Sequence, residues 1–421
     1  MDKLIINGTK VLNGEVKVSR AKNAYLPILA ALLLSDQKIE LEDVPNLRDI
    51  RTMWQLLKNL GVKTEVNGNI TTVDASNITS QEATYELVKT MRASIFVLGP
   101  LLSRFKRAKV SLPGGCAIGT RPIDLHLKNL EKMGAKIVMQ NGYVEATCDQ
   151  LIGTKLVLDF PSVGATENLL MAGVFAKGET IIDNAALEPE IDDLANFLVS
   201  MGVPVSGIGT KTLKVTGVTS VKATKYRAIG DRIEAGTYLM AALMTKGEVK
   251  VTGFNPNHLS NVSEKLREMG AEITELENGI NAKYIGELKA VDVSTEPFPG
   301  FPTDLQAQMM AVMTQATGTS VMTENIFENR FMHVPELVRL GAKIKLKGNS
   351  AIVKGATPLA GAPVMCTDLR ASAALVLAAL ASTGTTDVLR VYHLDRGYEQ
   401  LDQKLMALGG RIERAVEKEM I

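Results

Sequence analysis

One short pattern recurs six times along this chain of 421 residues: leucine, two residues, leucine or methionine, then glycine. Leucines at positions i and i+3 lie on one face of a helix, and the glycine supplies the left-handed backbone at which many helices end. The pattern therefore predicts six helix C-termini. Spacings of 73, 68, 68, 71 and 68 residues separate the six glycines and indicate one structural unit in six copies: Gly61, Gly134, Gly202, Gly270, Gly341 and Gly409.

Each copy has the same predicted internal order. Upstream of the glycine pattern lies a helix rich in Ala, Leu and Met, as in 23–34 and 235–244, followed by a short strand such as GETIIDN or GEVKVTG. Downstream of the pattern a strand begins, as in GAKI and GAEI. The unit thus reads helix, strand, helix, strand hairpin. Its first helix is apolar nearly all round, so we expect it to be buried on most sides.

The sixth copy is cut short at the C-terminus. Only residues 411–421 follow its glycines, which is too few for two strands and a turn. Residues 1–21 contain LIINGT and KVLNGEVKV, which indicate a strand, a turn and a strand, and we expect them to complete the sixth unit. The chain then divides into one domain of residues 22–229 and a second of residues 1–21 plus 230–421, with the active site in the cleft between them.

Composition excludes several classes of protein. Lys and Arg number 47 against 46 Asp and Glu, so the basic excess typical of nucleic-acid-binding proteins is missing. The longest apolar runs, 24–34 and 371–381, are shorter than the about 20 residues that a membrane span requires. The N-terminus lacks the apolar core of a signal peptide. We therefore expect a cytoplasmic protein with no membrane span and no nucleic-acid partner.

Cysteine and histidine usage bears on disulfides and metals. The three cysteines are an odd number and fit reduced thiols in the cytoplasm. The four histidines show no metal-ligand spacing to one another or to a cysteine, so we expect no metal site.

The most unusual segment is 112–127, LPGGCAIGTRPIDLHL. Glycine-rich loops let backbone amides approach a ligand. Cys116 lies at its centre, with Arg121 five residues away, and a nearby cation lowers the pKa of a thiol and makes it reactive. The alternative is an inert cysteine in a plain turn, an interpretation that suits Cys148 and Cys366 better.

Polar residues stand at the start of the first helix in most copies. An aspartate there is usually a helix cap, as Asp231, Asp304 and Asp368 could be. Cations at a helix N-terminus oppose the helix dipole, so they favour an anion-binding site over a solvated surface. Such cations are Lys22, Arg92, Arg232 and Arg370. A third polar cluster comprises 325–331, which includes Arg330, and the segment around Arg396.

Eight segments of the chain resemble the enolpyruvyl transferases, and among them the enzymes that act on UDP-N-acetylglucosamine. They run from residue 19 to residue 401, and Arg20 is the one position where glycine is more usual. The resemblance implies an α/β fold: a two-domain inside-out α/β barrel of six repeats. The segments are SRAKNAYLPILAALLL, PGGCAIGTRPIDLHL, EPEIDDLANFL, DRIEAGTYLMAA, GFPTDLQAQMMA, TENIFENRF, DLRASAALVLAAL and DRGYEQL.

The resemblance also implies a reaction. The enolpyruvyl group of phosphoenolpyruvate moves to the 3′-hydroxyl of UDP-N-acetylglucosamine and phosphate leaves, which is the first committed step of peptidoglycan biosynthesis. No metal or organic cofactor is implied. Cys116 matches the proton donor, which also forms a covalent phosphoenolpyruvate adduct and is alkylated by fosfomycin. Asp304 matches the base near the sugar hydroxyl.

The remaining matched residues bind the two substrates. Lys22 and Asn23 match the phosphoenolpyruvate-binding pair, and Lys22 and Arg396 are also implied in catalysis. Residues implied at the sugar nucleotide are Arg92, Arg121, Pro122, Ile123, Asp124, Leu125, Ser162, Val163, Gly164 and Ile326. Residues implied to close over phosphoenolpyruvate are Asp368, Arg370 and Arg396.

Three other functions are weighed against this one. A shikimate-pathway enolpyruvyl transferase would have Lys-Ser in place of Lys22-Asn23 and no cysteine corresponding to Cys116. A catalytically silent sugar-nucleotide-binding paralogue stays open, although every implied catalytic position is occupied. A six-unit clamp on DNA is disfavoured by the near-zero net charge.

Overall fold

The computed structural model describes residues 2–89, 91–112 and 123–416, and of Arg92 only the backbone. Cys116, Arg121 and Pro122 lie outside the described residues. The α-helices are α1 Lys22–Ala31, α2 Arg48–Leu60, α3 Tyr85–Val88, α4 Leu98–Phe105, α5 Asp124–Lys132, α6 Val163–Gly173, α7 Pro189–Ser200, α8 Arg232–Met244, α9 Ser260–Glu268, α10 Gln306–Met313, α11 Val334–Arg339, α12 Leu369–Ala381 and α13 Leu401–Ala407.

Short strands alternate with these helices. They are β1 Asp2–Asn7, β2 Asn13–Lys17, β3 Ile39–Glu42, β4 Lys63–Asn67, β5 Ile70–Asp74, β6 Glu82–Ala83, β7 Arg107–Ser111, β8 Lys136–Gln140, β9 Tyr143–Thr147, β10 Lys155–Val157, β11 Glu179–Asp183, β12 Val205–Ser206, β13 Thr212–Thr216, β14 Lys225–Tyr226, β15 Glu248–Thr252, β16 Glu272–Leu276, β17 Gly279–Lys283, β18 Val293–Ser294, β19 Thr319–Thr323, β20 Lys343–Lys347, β21 Ser350–Lys354, β22 Val364–Met365, β23 Thr385–Leu389 and β24 Arg411–Val416.

The strands form six sheets of four strands with one common plan. Each sheet has a parallel strand at one edge, then a strand that pairs with two antiparallel strands; these two form a hairpin in five sheets and are β1 and β24 in the sixth. The orders are β14-β3-β5-β4, β6-β7-β9-β8, β10-β11-β13-β12, β2-β15-β17-β16, β18-β19-β21-β20 and β22-β23-β1-β24. The six copies predicted from the glycine spacing are therefore confirmed.

The prediction that residues 1–21 complete the sixth unit is confirmed for the first strand only. Strand β1 lies between β23 and β24, and Leu4 is paired with Val388 on one side and with Arg414 on the other. The prediction is wrong for the next strand, because β2 joins the fourth sheet as the parallel neighbour of β15. Strands β22, β23 and β24 already supply three strands of the sixth sheet, so one strand from the N-terminus is enough to complete it.

The repeated glycines end helices in the way the pattern predicts. All six have left-handed φ values, between 86° for Gly202 and 113° for Gly61. The N–H of the residue after each glycine donates to the carbonyl of the first leucine in the pattern, as Val62 does to Leu57 at 3.0 Å. This six-to-one bond defines the Schellman motif, so the leucine both packs into the core and accepts the terminal bond.

The described chain divides into two compact units. Unit A contains residues 20–89, 91–112 and 123–229, and unit B contains 2–19 with 230–416. In each, the first helix of every copy is largely buried: every residue of α8 is buried, and so are eleven residues of α12. In unit B these two helices pack against α10 and against each other. Helices lie at the centre of each unit and sheets cover them.

No helix within the described ranges is both long and apolar enough to cross a membrane.

Buried and partly exposed side chains alternate along β1, and this alternation predicts how two substitutions affect stability. Ile6 is fully buried, whereas Ile5 points to the other face of the sheet and is partly exposed. We expect Ile6→Ala to lower the free energy of unfolding by about 2–4 kcal/mol, because it leaves a cavity in a packed core. Ile5→Ala is the matched control and should cost less than about 1 kcal/mol. Urea unfolding measures both, and equal losses would contradict the register of β1.

Candidate active site

In unit A the segments implied at the sugar nucleotide lie at two neighbouring helix starts. Ile123 precedes α5, which Asp124 and Leu125 begin; Ser162 caps α6, which Val163 and Gly164 begin. The Ser162 hydroxyl accepts the N–H of Ala165 at 3.3 Å. A Cβ on Gly164 would lie 3.4 Å from the His126 ring, so the starts of α5 and α6 meet closely there. Free N–H groups at two adjacent helix starts favour an anionic ligand.

A buried amide orients the histidine between these helices. The side-chain oxygen of Asn168 accepts the N–H of Gly99 at 2.7 Å. The NH₂ group of Asn168 therefore points the other way. It lies 2.9 Å from the Ile95 carbonyl and 3.0 Å from His126 Nδ1. Nδ1 must then accept, so the ring proton resides on Nε2. Burial lowers the pKa of His126 to about 4. The sequence offered no signal for this network beyond the polar residues of α6.

Lys22 stands at the first position of α1, with an acidic partner nearby. Its ammonium lies 3.3 Å from an Asp49 carboxylate oxygen, and both side chains are about nine-tenths buried. A cation is locally unfavourable at a helix N-terminus, so the Asp49 carboxylate offsets the opposing dipole. Asn23 follows in α1 and is partly exposed. Arg92 begins the short 3-10 segment Arg92–Val97.

Arg20, the departure from the family pattern, lies where two parts of unit A meet. Its guanidinium donates to the Ala228 carbonyl at 3.3 Å, and the N–H of Ala21 donates to the Ile229 carbonyl at 2.8 Å. Burial, and next the charge of Arg227, lower the pKa of Arg20. Its side chain therefore stabilises the pairing of residues 20–21 with 228–229.

In unit B one carboxylate is held between two arginines. Asp304 accepts from Arg330 Nη2 at 2.7 Å through one oxygen, and from Arg370 Nη2 at 2.8 Å and Nε at 3.1 Å through the other. The side chain of Arg370 is 3% exposed and that of Arg330 is 7% exposed. Charge-assisted bonds of this kind fix the carboxylate in one orientation.

Arg370 stays charged and has a donor to spare. Burial alone would lower its pKa, but Asp304 and next Tyr398 raise it overall, so the guanidinium stays charged. Its Nη1 is buried and makes no hydrogen bond within the described residues, although the Tyr398 ring lies 5.4 Å from the guanidinium carbon. A buried cation with a donor to spare suits an anionic ligand.

The other implied residues of unit B lie at element ends. Asp368 caps α12, where its carboxylate accepts the N–H groups of Arg370 at 2.8 Å and Ala371 at 3.0 Å. Arg396 is the last residue of the 3-10 segment Val391–Arg396. The N–H of Ile326 donates to Glu324 at 2.8 Å.

The sequence assigns no role to several of these neighbours. Arg330 lies in the polar segment 325–331, which points to no particular contact. Tyr398 and Gln308 match no motif with a known role, yet Gln308 donates to the Tyr398 hydroxyl at 3.0 Å and to the Asp304 carbonyl at 3.1 Å. Their polar side chains on otherwise apolar, buried segments were the available signal.

No group of three metal-ligating side chains occurs in residues 2–89, 91–112 and 123–416.

The buried histidine of unit A generates a pH prediction. His126 stays neutral in the folded state until the pH approaches about 4, whereas in the unfolded chain it is protonated near pH 6.5. The unfolded state therefore binds more protons between these values, and stability falls as the pH falls. We expect His126 to account for a loss of about 1–2 kcal/mol between pH 6.5 and pH 5.

The measurement is denaturant unfolding at several pH values for the unmodified protein and for His126→Gln, whose amide oxygen can still accept from Asn168. The variant should lose stability less steeply on acidification. An identical pH dependence in the two proteins would contradict the buried neutral histidine.

Comparisons with known proteins agree on one family. Residues 6–405 match the family model described as EPSP synthase (3-phosphoshikimate 1-carboxyvinyltransferase). A UDP-N-acetylglucosamine 1-carboxyvinyltransferase of Geotalea daltonii is 54% identical over 99% of this chain and 100% of its own length. The UDP-N-acetylglucosamine 1-carboxyvinyltransferase 2 of Carboxydothermus hydrogenoformans is also 54% identical, over 98% of this chain and 99% of its own.

Solved structures share the fold. The enolpyruvyl transferase NikO from Streptomyces tendae superposes with a TM-score of 0.89 at 24% identity, over 99% of each chain. EPSP synthase from Acinetobacter baumannii superposes with a TM-score of 0.77 at 19% identity, over 99% of this chain and all of the other. The α/β fold expected from the sequence is therefore confirmed. The chain belongs to the family of the UDP-N-acetylglucosamine 1-carboxyvinyltransferases, within the enolpyruvyl transferases.

Proposed function

We propose that the chain transfers the enolpyruvyl group of phosphoenolpyruvate to the 3′-hydroxyl of UDP-N-acetylglucosamine with release of phosphate. The observation that carries the proposal is the 54% identity, over nearly the full length of both chains, to relatives named for this reaction. The reaction would take place in the cytoplasm and commit the sugar nucleotide to peptidoglycan biosynthesis.

The polar features of unit A support a role in binding the sugar nucleotide. Two helix starts, at Asp124 and Val163, offer N–H groups to a diphosphate, and Lys22 adds a buried cation. Arg121 and Cys116 belong to the proposed site through the family resemblance alone.

The Asp304 cluster supports a role at the reacting hydroxyl. Removing a proton from a sugar hydroxyl requires an ionised carboxylate in a fixed position, and the two arginine partners of Asp304 favour both conditions. Arg330 is then a positioning residue. Arg370 can donate its remaining N–H groups to phosphoenolpyruvate while still bonded to Asp304.

The proposed chemistry begins at the double bond of phosphoenolpyruvate. The Cys116 thiol gives its proton to the methylene carbon, and the sugar 3′-oxygen bonds to the neighbouring carbon as Asp304 takes the hydroxyl proton. The Cys116 thiolate then takes a proton from the new methyl group, and the double bond is restored as the carbon–oxygen bond to phosphate breaks and the phosphate leaves. Lys22, Arg370 and Arg396 would balance the negative charge of the substrates. We propose residues 22–229 and 1–21 plus 230–421 as the two functional domains, both contributing to this one reaction.

A substrate comparison tests the reaction itself. Phosphate release should require phosphoenolpyruvate together with UDP-N-acetylglucosamine, because the Cys116 loop and Asn23 match the enzymes that use this acceptor. Shikimate 3-phosphate, the acceptor named by the matching family model, is the control. Release with shikimate 3-phosphate instead would reassign the acceptor, and release with neither would favour a silent binding protein.

The proposed role of Cys116 predicts selective alkylation. Fosfomycin should label Cys116 alone, and faster in the presence of UDP-N-acetylglucosamine. The two other thiols are poor nucleophiles, since burial raises the pKa of Cys148 and raises that of Cys366 to about 12. Mass spectrometry of the treated protein locates the adduct, and an adduct on Cys148 or Cys366 would refute the assignment.

Two substitutions separate acid chemistry from alkylation. Cys116→Ser should lose turnover by roughly 100-fold or more, because a hydroxyl is a far weaker acid than a thiol. Cys116→Asp should keep turnover while losing the adduct, since a carboxyl can still donate a proton. Full activity in Cys116→Ser would exclude Cys116 as the proton donor.

A further inference from the structure

One of the six sheets has an outer edge strand, β20, that carries three lysines and no carboxylate. In the fifth sheet, Ala351 and Val353 of β21 point inward and are fully buried. Because Ile344 and Leu346 pair with them, the other residues of β20 point outward. The outward residues are Lys343, Lys345 and Lys347, and Lys354 of β21 lies directly across from Lys343.

The five equivalent edge strands provide an internal comparison. The edge strands β4 and β24 mix charges on the matching face, with Lys63 beside Glu65 and Arg411 beside Glu413. Strand β16 begins with Glu272, β8 has a single cation, and β12 has no charge. The six strands compared are β4, β8, β12, β16, β20 and β24, and all of them lie within the described residues. Among these six, only β20 carries three like charges and no carboxylate.

No carboxylate neutralises these lysines. No ion pair joins Lys343, Lys345, Lys347 or Lys354 to an acidic residue within the described part of the chain. The acidic residues near this sheet have other partners: Asp292, at the opposite edge, accepts the N–H of Val321 at 2.8 Å, Glu324 accepts from Thr295 and Thr303, both at 2.9 Å, and Glu336 accepts the N–H of Met365 at 2.9 Å.

The backbone edge of β20 is also open. Across the described ranges, the only backbone hydrogen bonds of residues 343–347 are those to β21. By contrast, Arg267 covers the carbonyl of Ile273 on the edge strand β16. Leu346 on β20 is 46% exposed, so an apolar side chain accompanies the unpaired backbone groups.

We propose that β20 binds an extended acidic segment of a partner protein, which adds to the sheet as a fifth strand. Side chains of a strand alternate between faces, so the segment would alternate carboxylates with apolar residues. Its carboxylates would face the three outward lysines, and an apolar residue would lie beside Leu346. Opposite charges directly across a strand pair stabilise it, whereas like charges destabilise it. The same lysines therefore oppose pairing between two copies of β20 and select an acidic strand.

The direct test uses the full chain and a fluorescent nine-residue peptide in which glutamate and valine alternate. Fluorescence anisotropy should show saturable binding that weakens as salt is added. Lys345→Glu combined with Lys347→Glu should weaken binding about tenfold or more, because two favourable cross-strand pairs become repulsive. Lys63→Glu on β4 is the matched control and should leave the affinity unchanged. Phosphate release, unchanged in all variants, verifies that each is folded.

Two further probes separate strand addition from charge alone. A peptide of the same composition with its glutamates in one block should bind at least tenfold more weakly. Two further peptides carry N-methyl groups at all valines or at all glutamates, and one of the two should bind at least tenfold more weakly, because alternate N–H groups of a strand face the same edge. Equal binding of the block peptide, or undiminished binding of both N-methylated peptides, would overturn strand addition. Phosphatidylglycerol vesicles test the alternative that the lysines bind a lipid surface. The proposal would be overturned if the protein bound these vesicles through Lys345 and Lys347 but did not bind the alternating peptide.

Discussion

The arrangement of each unit depends on helices that have no solvent-facing side. Helices α8 and α12 are buried along almost their whole length, so they cannot rely on water to satisfy the backbone at their ends. Asp231 and Asp368 accept the free N–H groups of the first turn. The sheets cover the sides of these helices. Polar side chains are therefore found at the first turns.

The Asp304 cluster, which Asp304 forms with Arg330 and Arg370, is one such group of polar side chains. A buried ion pair loses the hydration of both charges, and the loss is regained only with good geometry and several hydrogen bonds. Arg330 and Arg370 supply three bonds to the Asp304 carboxylate. Arg370 Nη1 still has no hydrogen-bond partner within the described residues, so it could donate to an anionic substrate.

The repeat could be predicted from sequence, whereas the site contacts could not. The glycine pattern is local: five residues specify the helix end, and the same leucine carbonyl accepts the terminal bond in every copy. Asp304 and Arg370 are 66 positions apart, and His126 and Asn168 are 42 apart. Such pairs depend on how helices pack, which periodicity does not specify. The family resemblance named Asp304 and Arg370 but left Arg330 and Asn168 without a role.

The place of β1 in the sixth sheet has a consequence for the order in which the chain can fold during synthesis. This strand is made before residues 20–229, yet its neighbours β23 and β24 are made after them. Leu4 and Ile6 therefore have no partner strands while residues 20–229 are synthesised and can form a core of their own. Unit B can close only once β24 has been made, so the apolar face of β1 is exposed to aggregation while most of residues 2–416 are synthesised.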